Sequence, residues 1–106
     1  MDWLWLAAAG LCEVGWAIGL KSAGPKPSPV WAVTAALMIS SFYLLWLAMR
    51  SIPLGTAYAV WTGIGAAGAA IAGMALFDEP RAPARLACLA LIGAGVFGLK
   101  LAAGER

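Results

Sequence analysis

Four long, predominantly apolar stretches, each closed by a charge or a proline cluster, predict an all-α integral membrane protein, a bundle of four transmembrane helices. Across 106 residues the chain is 63% hydrophobic and only 11% charged, far from the balance of a domain that folds in water. The few charges are segregated, leaving runs long enough to cross a hydrocarbon core of about 30 Å. These runs are continuous. A transmembrane β-barrel would instead need alternating segments of about 10 residues.

The first span is expected over about 3–20, ending at Lys21 before a segment in which Pro25, Pro27 and Pro29 exclude a continuing helix. The second, 30–49, carries no charge and is closed by Arg50. Pro53 and Gly55 turn the chain into a third uncharged run, 55–77, which Asp78, Glu79, Pro80 and Arg81 stop. Pro83 suits a helix start, and the fourth span runs 84–103. The connections are short, so consecutive helices are antiparallel neighbours within a single membrane domain, 1–106. Trp3, Trp5 and Trp31 fall at span ends, as interfacial tryptophans do, whereas Trp16, Trp46 and Trp61 lie deeper. The apolar run from Leu4 continues past Glu13 and no basic segment precedes it, so a removable signal peptide is not expected.

Several function classes are disfavoured by composition. A net charge of +2, scattered along the chain, offers neither a nucleic-acid face nor a polybasic lipid anchor. Cys12 and Cys88 lie in apolar runs, and with no histidine they cannot supply the ligands of a zinc site; they read as free thiols. Residues Gly63, Gly65 and Gly68 match G-x-G-x-x-G literally. That fingerprint requires a preceding strand and a later acidic residue, and both are missing. These glycines read instead as helix packing or a hinge in the third span, with Gly65, Ala69 and Gly73 as a small-residue ridge. Gly93, Ala94, Gly95 and Gly98 offer a second small surface in the fourth span, suited to contact between copies. No cofactor and no enzymatic chemistry is indicated.

Glu13 is the one acidic residue deep in a span, where placing it costs a few kcal/mol, so it faces a cavity or a partner rather than lipid. Desolvation penalises the carboxylate more than the acid, and such a group can trade a proton for a cation. The plainer alternative is a protonated glutamic acid that joins two helices by a hydrogen bond. Gly10, Trp16 and Ala17 share its helical face: Gly10 leaves room, and Trp16 offers an aromatic surface and an indole donor for the carboxylate. Tyr58 and Trp61 form a second aromatic stripe on the third span, which is ordinary packing unless it lies opposite the carboxylate.

Basic residues hardly bias orientation. Arg50, Lys100 and Arg106 would lie on one side, and Lys21, Lys26, Arg81 and Arg85 on the other, three against four. Such a chain either takes one orientation on a weak signal or inserts both ways. One carboxylate and four helices also make little cavity wall; a homodimer supplies two, and opposite orientations would give alternating access from inverted repeats on separate chains.

The pattern Glu13-x-x-Trp16-Ala17-x-x-Leu20-Lys21, followed by Gly55-Thr-Ala-Tyr58-Ala-Val-Trp61-Thr-Gly-Ile-Gly65 and Phe77-x-Glu79-Pro80, resembles the small multidrug resistance family over essentially the whole chain, and its guanidinium-exporter subtype most closely. The resemblance implies an antiparallel homodimer in the bacterial cytoplasmic (inner) membrane that exports guanidinium compounds in exchange for protons. Glu13 would be the shared proton and substrate ligand, with Trp16, Ser41, Tyr58 and Trp61 as a hydrogen-bonding shell. Ser41 is chosen over Ser40 because it directly precedes Phe42-Tyr43-Leu44-Leu45. Lys100 also resembles a subtype position, without a role. Two alternatives stay open: export of quaternary ammonium or aromatic cations, and a non-transporting membrane subunit in which Glu13 joins helices.

Overall fold

In the computed structural model, residues 2–25 and 27–103 are described. They form four helices, α1 (Asp2–Ser22), α2 (Pro29–Met49), α3 (Leu54–Leu76) and α4 (Pro83–Ala103), with no strand among the described residues. Each is long and apolar enough to cross a membrane. Lys26 and Arg106, two of the seven basic residues weighed for orientation, lie outside the described residues.

Local chemistry sets the helix ends. Ser28 is extended (φ −156°, ψ 163°) and hands the chain to Pro29, whose fixed φ and missing N–H suit a first helical position. Pro83 opens α4 in the same way. At the end of α3 the Gly73 carbonyl accepts from both Phe77 N–H (2.9 Å) and Glu79 N–H (3.2 Å). The intervening Asp78 takes φ 55°, a left-handed conformation in which aspartate is enriched and which closes helices. The third helix therefore stops one residue before Phe77, which caps it.

α1 is the central helix, packed between α2 and α3, while α4 stacks on α3 alone at backbone level. The buried core lies towards the α1 N-terminus: Leu6 and Ala9 meet Leu45, Ala48 and Ile52 on one side and Ala57, Val60 and Trp61 on the other. Lipid is as apolar as this core, so close van der Waals packing and interhelical hydrogen bonds hold it together rather than escape from water. Among the described residues α4 contributes no buried side chain, and side chains added at Gly93, Gly95 or Gly98 would meet none of those residues within 4 Å. The molecule is a slab, 47 × 34 × 17 Å.

Candidate functional site

Glu13 sits midway along α1, and its carboxyl group lies directly against Gly65 of α3. A Cβ at Gly65 would overlap the Glu13 carboxyl, falling 2.8 Å even from its Cγ, so the missing side chain is what makes the niche. Glu13 Oε1 is enclosed there without a hydrogen-bond partner among the described residues. The Trp16 indole Nε1 is likewise enclosed and unpartnered, so the donor expected for the carboxylate is not engaged with it. The two side chains share a helical face, but the carboxyl is turned onto the glycine of the neighbouring helix. No salt bridge to Glu13 forms among the described residues.

Ser41 joins three helices. It is fully buried; its hydroxyl donates to the Ala9 carbonyl (2.7 Å) and accepts from the Trp61 Nε1–H (2.9 Å), while Ser40 is exposed. A hydroxyl oxygen has two lone pairs, so one acceptor position remains. Ala9 lies one turn before Glu13 on α1, and Trp61 one turn before Gly65 on α3. The Ser41 node and the carboxylate niche are thus stacked one helical turn apart on the same two faces.

Aromatic rings extend the site outward from Trp61, with the Phe42 ring centroid at 5.8 Å and that of Tyr58 at 5.5 Å, both tilted. Tyr58 is half exposed. Thr62, on the same stretch of α3, donates back to the Tyr58 carbonyl (2.7 Å). The structure brings Glu13, Gly65, Ser41, Trp61 and Tyr58 into one neighbourhood. Gly10 also faces α3, but an added Cβ would lie 2.6 Å from Ile64 Cγ2, so the room it leaves is filled by isoleucine. Gly63 is filled by Val96 of α4 and Gly68 by Val14 of α1, and α3 runs through Gly63, Gly65 and Gly68 as unbroken helix.

Two participants were not foreseen from sequence. The Ala9 carbonyl carries no side-chain signal at all. Phe42 stands next to Ser41 and could have been proposed from that adjacency alone. No group of three or more metal-ligating side chains occurs among the described residues.

Comparison with known proteins agrees with this architecture. The profile of the Small Multidrug Resistance protein family matches residues 1–92. Proteins named guanidinium exporter from Citrobacter freundii and Salmonella typhimurium are 56% identical over 102 residues, covering 95% of this chain and 97% of each relative. One from Escherichia coli (strain K12) is 55% identical with the same coverage. These relatives are named as transporters, not enzymes. With four membrane-spanning helices and identity sustained along nearly its full length, the chain is a multi-pass membrane protein that belongs to the small multidrug resistance family.

Proposed function

We propose that this protein exports guanidinium ion and small guanidinyl compounds from the bacterial cytoplasm across the inner membrane in exchange for protons, working as an antiparallel homodimer. The observation that carries the reading is the Glu13 carboxyl, held midway along α1 in the Gly65 niche with Oε1 unpartnered among the described residues. The names of the relatives supply the substrate class.

Guanidinium is planar and presents parallel N–H donors that match a carboxylate in two-point contact, as an arginine side chain does. The spare lone pair of Ser41 can take a further donor, and the Tyr58 and Trp61 rings offer faces to the cation. Protons and guanidinium then compete for the same two Glu13 groups, one from each copy. If the cavity reorients only when it holds one or the other, a proton gradient drives the cation outward. The Gly63 to Gly68 stretch, where α3 makes its close approaches, is the segment on which such reorientation would turn. The homodimer is favoured by the slab shape, which gives a single chain little wall around its carboxylate, and by the open small-residue face of α4. A role as a mere helix joint is disfavoured, since Oε1 makes no hydrogen bond to another helix among the described residues.

The test is proton movement in liposomes containing the purified protein. A guanidinium gradient should drive opposing proton flux, and a tetramethylammonium gradient, with no N–H to donate, should drive much less. Equal flux with both ions would replace the guanidinium reading with general cation export.

A further inference from the structure

A cavity of about 230 Å³ opens on the flank of the molecule, between α1, α3 and α4, where α1 and α4 have no backbone contact. Val60, Ile64, Val96 and Phe97 are among its walls, and Trp3 and Lys100 stand at its end. Glu13 does not line it. Along α4 the cavity reaches from Gly93 to Lys100, about 10 Å of helix at the usual rise. Its Gly93 end is therefore within the hydrocarbon and its Lys100 end near the membrane surface, where Trp3 also belongs. The Lys100 ammonium lies 5.3 Å from the centroid of the Trp3 ring.

We propose that this groove binds one anionic phospholipid, with an acyl chain along the apolar walls and the headgroup phosphate on Lys100. Three features select that occupant. Apart from Lys100 and the indole N–H of Trp3, the lining side chains are apolar, which suits a hydrocarbon chain. A fixed positive charge at the mouth repels the cationic cargo and attracts a phosphate. Trp3 places that charge at headgroup depth and holds the ammonium by its ring face, so the charge is positioned and not merely extended into water.

One basic residue near an anionic surface contributes about 1 kcal/mol, which corresponds to about a fivefold preference. The full-length protein in detergent, titrated with phosphatidylglycerol or with phosphatidylcholine of the same acyl chains and examined by native mass spectrometry, should retain phosphatidylglycerol about fivefold more strongly. Lys100→Gln should abolish the preference while leaving weak retention of both lipids. Lys21→Gln, at the opposite membrane surface, should leave it intact. Ala7→Phe, which fills the groove from α1, should reduce retention of both. Inorganic phosphate in millimolar excess should not compete, because it lacks the chain. Equal retention of the two lipids by the unaltered protein, or an undiminished preference in Lys100→Gln, would overturn the proposal, as would displacement by free phosphate.

Discussion

Ser41 and Ser40 are neighbours in sequence, yet one hydroxyl joins the Ala9 carbonyl to the Trp61 indole while the other is exposed on α2. Ser41→Ala leaves the Trp61 N–H without an acceptor. Interhelical hydrogen bonds in membranes average about 0.6 kcal/mol, so the fold should survive the change. Guanidinium affinity should fall about tenfold, the scale of one lost hydrogen bond to a charged group. Ser40→Ala should change neither, and calorimetric titration of both variants checks the difference; equal effects would mean that Ser41 is not part of the site. Glu13→Gln keeps the size of the side chain and removes both the charge and the exchangeable proton. Transport and proton coupling should vanish together while assembly persists, because an amide costs less to bury than a carboxylate. For the native protein, binding needs the charged form of Glu13, so affinity should weaken as pH falls and recover as it rises, with the two copies titrating as a pair. Uphill guanidinium transport by a folded Glu13→Gln dimer would require another proton site.

At the scale of the element, α3 depends on where side chains are missing. Gly65→Ala should favour the helix by up to about 1 kcal/mol on propensity alone. The added methyl would nevertheless overlap the Glu13 carboxyl. The expected result is unchanged helix content by circular dichroism and a loss of guanidinium transport of at least about tenfold, since a misplaced ligand forfeits more than one kcal/mol of contact. Gly55, on the same helix, has nothing within 4 Å of a Cβ, and Gly55→Ala should transport normally. Full activity in Gly65→Ala would show that the niche is incidental. Elsewhere, Glu79 and Arg85 pair at 2.7 Å across the α3–α4 connection. Both are about one-third exposed, so their pairing fixes the loop more than it stabilises the fold.

The whole molecule raises the question of orientation. Three basic residues on one side against four on the other give the insertion machinery almost no instruction. The site, meanwhile, has one carboxylate per chain and an open side. Insertion in both orientations would answer both features. A cysteine engineered at the C-terminus, in a chain lacking Cys12 and Cys88, should be labelled by an impermeant maleimide in comparable amounts from each side of the membrane. Labelling confined to one side at native expression would rule out dual topology.

The number of helices, their ends and the singular position of Glu13 were legible in sequence because each rests on local chemistry: apolar length, proline at helix starts, charge at helix ends. Ser41 was legible only through family resemblance, since nothing intrinsic separates it from Ser40. The partnering of faces was not legible. In a water-soluble bundle, an apolar stripe on each helix points to its neighbours, but lipid and protein interior are equally apolar, so these helices are hydrophobic all round and carry no such stripe. Tertiary structure alone decided that α1 is central, that Ile64 fills the space at Gly10, and that Gly65 leaves the space for Glu13. Those choices were made by the fit of small side chains to large ones across helices, a pairwise property that neither helix contains by itself.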